Sequence, residues 1–410
     1  MDAKKKEKGQ KSNAVSWAVF LISVEITFIS LIPIIFPALI TRTISPISIS
    51  PVDKFELGFW AIPLILTSII ILGISILYLK NKLPSPITKS FKFIYNFEVS
   101  KKVSILVILV LLSIYIAGTV EELKVEEAFG DYTAVKEQVL SWNIDEIYKG
   151  FDFHLRFFLL GSSLNLFENI RVIPFIASIS LLILTYLITL EMSKKRFSGL
   201  VAMTILLQSP IFLKYDTTAT YENFWTLFYL LSLYLIYKSG PISPILYVLS
   251  IFSKPITAIF FPMTFFFIYR ANILRKKKIR VALLYSVIII GAAIAVVGFN
   301  INIATTDVEF VERFFWDGYV SMSFQIRSDV LVILFILPVV IGLFVASRKG
   351  ILQAESVLVL IVGMLFSAPM VTGFTDITNQ PYRFIPLVVF FAMGVGMLLS
   401  KRENQITPRS

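Results

Sequence analysis

The sequence predicts an all-α, polytopic membrane protein with about twelve transmembrane helices, and three observations carry that prediction. Of 410 residues, 56% are hydrophobic and 16% are charged, whereas a soluble domain carries about 25% charged residues. The charges are squeezed into short gaps between long apolar runs. The runs are continuous and do not alternate, which fits helices and excludes a transmembrane β-barrel. A soluble enzyme and a disordered chain are excluded by the same arithmetic. The chain has no cysteine, so disulfides, thiolate metal sites and a cysteine nucleophile are excluded too. A single histidine, His154, rules out a multi-histidine zinc site.

Taken in order, the apolar runs place spans at 15–39, 57–79, 103–119, 172–191, 197–213, 223–237, 242–253, 255–269, 281–301, 329–346, 352–371 and 384–399. A full crossing takes about 20 residues, so the shorter runs are expected to extend into their flanks. The run at 242–269 contains Ser253, Lys254 and Pro255, and reads either as one kinked span or as a hairpin. Charge favours the hairpin. With twelve spans and both termini cytoplasmic, 26 of the 38 basic residues fall in inner segments, as the positive-inside bias requires. Lys4, Lys5 and Lys6 open the chain as a signal peptide does. The apolar stretch behind them is too long, and no small-residue cleavage site follows, so an uncleaved anchor is expected. The net charge of +11 then reads as orientation and as contact with anionic lipid, not as nucleic-acid binding.

Acidic residues show the opposite bias. Ten lie in one segment, Val120–Arg171: Glu121, Glu122, Glu126, Glu127, Asp131, Glu137, Asp145, Glu146, Asp152 and Glu168. Most read as a solvated acidic outer loop. Ala134, Val135, Gln138, Val139 and Trp142 share one helical face, which places Asp131 at the start of a short amphipathic helix, where its plain role is an N-cap. The stretch 151–167 is too short and polar to span and reads as a helix lying in the membrane interface.

The shorter outer segments are chemically uneven. Tyr215, Asp216 and Glu222 lie between spans five and six, Lys254 at the turn between spans seven and eight, and Tyr382 and Arg383 at the opening of the last span. A carboxylate can take a proton from a hydroxyl. Cations hold phosphate, Arg bidentately and Lys as a point charge. The plain reading of Lys254 and Arg383 is a snorkelling interface residue. Glu25 and Glu355 are the intramembrane carboxylates, which are functional candidates by position; for Glu25 a partner contact is an equal reading.

The order of these features resembles the polytopic glycosyltransferases of the GT-C fold, in particular the lipid A aminoarabinose transferases and protein O-mannosyltransferases. Gly130-Asp131-Tyr132 stands where those proteins have an early loop acid, and Asp152-Phe153-His154-Leu155 where they have a His-Pro-Pro element. Ser193–Phe197 matches their basic inner turn, Gln208-Ser209-Pro210 their Ser-Pro, and Tyr215 with Glu222 their second outer loop. Phe252-Ser253-Lys254-Pro255 stands at their Thr-Lys-Gly-Pro turn, and Tyr382-Arg383 resembles the Arg-Tyr before their last span. The likeness runs from Asp131 to about Arg270 and loosely through the last spans. The chain departs from the pattern in three places: Tyr132 follows the acid, no prolines follow His154, and two extra spans precede the first matched one. Trp316-Asp317-Gly318-Tyr319 contains the residue types of an oligosaccharyltransferase signature in a different order, and reads as an aromatic interface anchor.

The resemblance implies three parts: a tail with two extra spans (1–102), a GT-C-like core (103–301), and C-terminal spans with a short tail (302–410). It implies a polyprenyl- or dolichyl-phosphate sugar as donor and a protein, lipid or envelope glycan as acceptor. It makes Asp131 the general base in an inverting transfer at the extracytoplasmic face of the plasma membrane. Lys254, Arg383 and Tyr382 would hold the departing phosphate. Glu222, His154 and Asp152 would lie near the acceptor or a divalent cation, and Tyr215 and Asp216 in the second outer loop. A twelve-span transporter or lipid flippase, and a non-catalytic assembly subunit, are the other readings.

Overall fold

The computed structural model describes residues 2–40, 53–127, 130–141, 155–219, 222–298, 309–375 and 381–400. Every regular element among the described residues is helical. In chain order the main ones are α1 (Asp2–Ile35), α2 (Ala61–Leu79), α3 (Ser85–Asn96), α4 (Lys101–Thr119), α5 (Gly130–Leu140), α6 (Leu155–Phe167), α7 (Val172–Ser193), α8 (Arg196–Leu207) and α9 (Pro210–Tyr215). There follow α10 (Glu222–Tyr237), α11 (Ser243–Ser253), α12 (Phe261–Arg270), α13 (Arg275–Gly298), α14 (Glu312–Ile326), α15 (Val330–Arg348), α16 (Gln353–Thr375) and α17 (Ile385–Met397).

Among the described residues, six stretches are long and apolar enough to cross a membrane: Ala14–Ile35, Ala61–Leu79, Lys101–Lys124, Val172–Ser193, Val330–Arg348 and Gln353–Phe374. The remaining apolar runs also fall on helices, most of them shorter. Two runs are broken for visible reasons. The run at 197–213 is two helices, because Pro210 cannot continue the ladder and Ser209 Oγ instead caps α9 by accepting from the Phe212 amide at 3.1 Å. The run at 242–269 breaks at Lys254, which is extended (φ −156°, ψ 111°). There the chain reverses: the Tyr247 hydroxyl donates to the carbonyl of Thr257 at 2.9 Å, ten residues on and out of reach in a continuous helix.

The chain forms two compact units. One combines 1–97 with 309–410, and the other is 98–308. In the first, α17 is the core: all but one of its residues are buried, and α15 and α16 pack on it. Small residues set the close approaches, as in membrane helix packing generally. A Cβ on Gly318 would lie 2.6 Å from Pro369 Cα, and one on Gly394 3.0 Å from Val339. The buried Glu355 accepts from Ser347 Oγ at 2.8 Å, whereas Glu25, in the middle of its apolar stretch, is exposed.

In the second unit, α7 turns into α8 through Lys194 in the left-handed region (φ 57°). The two helices touch where Gly199 faces Tyr186; a Cβ there would sit 2.8 Å from both the ring and the carbonyl of Tyr186. Tyr186 is itself tied to α4 by the 2.8 Å bond between its hydroxyl and Ser104 Oγ. Gly199→Val is therefore expected to destabilise the protein by about 1–3 kcal/mol through overpacking. The check is the thermal midpoint in detergent; an unchanged midpoint would mean that the α7–α8 contact tolerates a full side chain. Aromatic rings fill the space between α10, α11 and α13, with Tyr229 and Tyr247 at 5.9 Å and Tyr247 and Tyr285 at 5.7 Å between ring centroids.

The connection between α4 and α7 packs on this unit through a buried cluster. Tyr132 and Val139 of α5 meet Phe157 and Leu160 of α6, and these meet Ile170, Ala177, Ala219 and Phe224. The inward face of α5 is thus Tyr132, Val135 and Val139, spaced i, i+3, i+7. This corrects the face expected from the sequence. Ala134 and Gln138 are exposed, because the buried Tyr132 ring turns the helix toward α6; Trp142 lies outside the described residues.

Candidate functional site

The site in the second unit is organised by Arg171, the residue just before α7. Its side chain is almost fully buried. Nη1 donates to the carbonyls of Glu122 and of Val125 (2.7 Å), Nε to the carbonyl of Thr217 (3.3 Å), and Nη2 to Thr217 Oγ1. The Glu122 carboxylate stands 3.9 Å from Nη2. The planar fork of the guanidinium suits this task, since it reaches several acceptors in two directions at once. One cation thereby joins the segment after α4 to the segment after α9. Asn169 and Ser163 brace it. Asn169 Oδ1 accepts from the Arg171 amide (2.9 Å), Asn169 Nδ2 donates to the Leu123 carbonyl (2.7 Å), and Ser163 Oγ donates to the Asn169 carbonyl (2.6 Å).

A second link runs beside it. Glu127 Oε2 accepts from the Ala219 amide at 3.2 Å. Burial pushes the Glu127 carboxyl above its ordinary range, while the Ala219 bond and Arg171 oppose the shift. Glu127 is thus not part of a solvated acidic loop. Glu121 and Glu126 are, and they make exposed pairs with Lys124 (2.8 Å) and Lys136 (2.7 Å), of the kind that contributes about 0–1 kcal/mol.

Behind these links lies Asp216, fully buried. Its carbonyl accepts from Ser178 Oγ (2.6 Å) and from Asn223 Nδ2 (2.9 Å). Neither carboxylate oxygen completes a hydrogen bond of good geometry. Burial raises the Asp216 carboxyl to about 7; the nearby Tyr115 hydroxyl opposes the shift, Glu122 adds to it, and the Thr217 amide and Arg171 oppose it. A carboxyl that titrates near neutral pH in a buried setting has the profile of an acid–base group.

The residues expected from sequence are distributed as follows. Tyr215 and Asp216 are in this cluster, both buried. Asp131 is the second residue of α5 and Glu222 the first of α10; their side chains lie outside the described residues, as do Asp152 and His154 altogether. The neighbour of Asp131, Tyr132, is buried against Ala219 and Phe224. Burial raises its hydroxyl, and it lies within the fields of Lys136, Glu127 and Arg171. The start of α5 therefore adjoins the Arg171 and Glu127 links. Lys254 is half-buried, with Nζ 6.0 Å from the ring centroid of Trp225. Trp225 and Asn223 share the first turn of α10, so Lys254 and Asp216 lie at the same end of that helix. Tyr382, buried, and Arg383, half-buried, lie in the short helix Pro381–Phe384 of the other unit, with the guanidinium 6.0 Å from the Tyr382 ring. Among the described residues, no group of three His, Cys, Asp or Glu side chains gathers to hold a metal.

Arg171, Ser178 and Asn223 are absent from the residues that the sequence pointed to, and Glu127 stands there only as one of ten loop acids. Arg171 had one legible signal: it is the last charge before a 22-residue apolar helix. Compared with known proteins, the chain matches no family model, no curated protein and no solved structure.

Proposed function

We propose that the chain is a GT-C-like membrane glycosyltransferase with about twelve spans, both termini cytoplasmic and its reaction on the extracytoplasmic side. It moves a sugar from a polyprenyl- or dolichyl-phosphate donor to an acceptor hydroxyl. The observation that carries this reading is the docking of the acid-bearing connection onto the segment after α9, through Arg171 to Thr217 and Glu127 to Ala219. An acid held over the ends of membrane helices is where a lipid-borne phosphate sugar would present its reactive carbon. Asp131 takes the proton from the acceptor hydroxyl, a role that contributes typically about 10²–10⁴-fold. Lys254 stabilises the departing phosphate as a fixed cation.

The test uses the purified protein in lipid nanodiscs with radiolabelled polyprenyl-phosphate sugars, following donor binding and loss of label separately. Asp131→Asn is expected to keep donor binding and lose turnover by about 10²-fold or more. Lys254→Ala is expected to weaken donor binding. Full transfer by folded Asp131→Asn would remove Asp131 as the base. Folded wild type that binds none of the donors would shift the reading to a transporter or a non-catalytic assembly subunit.

A further inference from the structure

The connection between the apolar helices α2 and α4 is built as a defined element. Helix α2 ends in a Schellman motif. The Lys82 amide bonds the Leu77 carbonyl at 2.9 Å, the Asn81 amide bonds the Tyr78 carbonyl at 3.1 Å, and Asn81 adopts the left-handed conformation (φ 54°) that this cap needs. Pro84 and Pro86 then open α3, and Ser100 Oγ caps α4 by accepting from the Val103 amide at 3.3 Å. The end of α2 and the start of α3 are therefore geometrically specified.

Helix α3 is strongly two-sided. At 100° per residue, Ile87, Phe91 and Ile94 form one stripe, with Tyr95 at its margin; Phe93 falls outside it, next to Lys89. Ser85, Lys89, Lys92 and Asn96 occupy the opposite arc. A helix patterned this way on a globular surface buries its apolar stripe. Here no residue of α3 is buried, and within the stripe Ile87 and Ile94 are each 44% and Phe91 41% exposed. Phe91 touches Tyr78 at the end of α2, at 5.8 Å between ring centroids, which sets the stripe level with the end of an apolar, membrane-length helix. The charge around it is one-sided. Between residues 80 and 102 lie Lys80, Lys82, Lys89, Lys92, Lys101 and Lys102 against a single acid, Glu98.

We infer that α3 is an interfacial anchor: it lies in the plane of the membrane surface, sinks Ile87, Phe91 and Ile94 among the acyl chains, and holds anionic lipid headgroups with Lys89 and Lys92. The occupant is the bilayer and not a partner protein, because α3 is joined at both ends to apolar stretches of membrane length, and its charged arc complements an anionic surface. The inference rests on the chain crossing a membrane and is independent of the transfer reaction.

The chain's lack of cysteine makes the test direct. Single variants Ile87→Cys, Phe91→Cys, Ile94→Cys, Ser85→Cys, Lys89→Cys and Lys92→Cys carry a nitroxide label in the full protein in nanodiscs. Accessibility to oxygen and to a water-soluble nickel chelate gives the depth of each. The first three labels are expected to favour oxygen and the last three the chelate. Adding phosphatidylglycerol to phosphatidylcholine discs should deepen the Phe91→Cys label, and Lys89→Gln with Lys92→Gln should abolish that change. Chelate access at all six positions would overturn the anchor. Shielding of the first three from both reagents would overturn it in favour of a protein cover. Equal depth in neutral and anionic discs would overturn the headgroup contact.

Discussion

Arg171→Ala is expected to destabilise the protein by about 3 kcal/mol, the low end of the range for removing one partner of a buried charged network. The side chain is the donor for the carbonyls of Glu122, Val125 and Thr217 and for the Thr217 hydroxyl. Alanine leaves these acceptors without their donor, and the penalty is that of desolvated polar groups rather than of a lost contact. The low end applies because Glu122 is 48% exposed, so water repairs part of the loss. Arg171→Lys restores the charge but not the fork, since one ammonium cannot reach both connected segments, and it should recover only part of the stability. The thermal midpoint in detergent is expected to fall by about 3–4 °C for alanine when all 410 residues unfold together. Lys136→Ala, which removes an exposed pair with Glu126 in the same connection, should change the stability by under about 1 kcal/mol. Equal effects of the two changes would show that Arg171 does not hold the connection in place.

Removing the charge of Asp216 should have the opposite sign. Its carboxyl sits at about 7 in the folded protein against 3.8 for the free group. The folded state thus keeps its proton over a window in which the unfolded chain has lost it. Below about pH 4 both states are protonated and the residue is neutral in its effect. Between about 4 and 7 the unfolded state deprotonates first, so the wild type loses stability as pH rises, and above about 7 the loss is complete. The linkage amounts to roughly 4 kcal/mol. Asp216→Asn is therefore expected to match wild type near pH 4 and to exceed it in thermal midpoint at pH 8. A difference that is constant across this range would mean that Asp216 is ionised in the fold and well solvated. A carboxylate retained at a cost to stability, between Tyr115 and Arg171, is the residue in this cluster whose presence packing does not explain.

These two residues also show where reading the chain ends. The all-helical class, and the presence of helices long and apolar enough to cross a membrane, were legible because each depends on local composition. A continuous apolar run in lipid leaves the backbone no option but to bond itself, and among the described residues the apolar runs lie mainly on helices. The break at Lys254–Pro255 was marked by proline and is real, whereas the run 197–213, read as one span, is broken at Ser209–Pro210. The start of α5 near Asp131 was legible from its periodicity, but the face it turns inward was not, since Tyr132 competes with Ala134 and only the position of Phe157 and Leu160 decides between them. The sequence named Tyr215 and Asp216 only as second-outer-loop residues; that Asp216 is buried and that Arg171 lies beside it was decided by tertiary structure. Arg171 meets Glu122 and Thr217 across 49 and 46 residues of chain, and Asp216 looks in sequence like any acid in a short loop. Whether a charge is buried depends on which distant segments close over it, and that is a property of the packed molecule rather than of any stretch of its sequence.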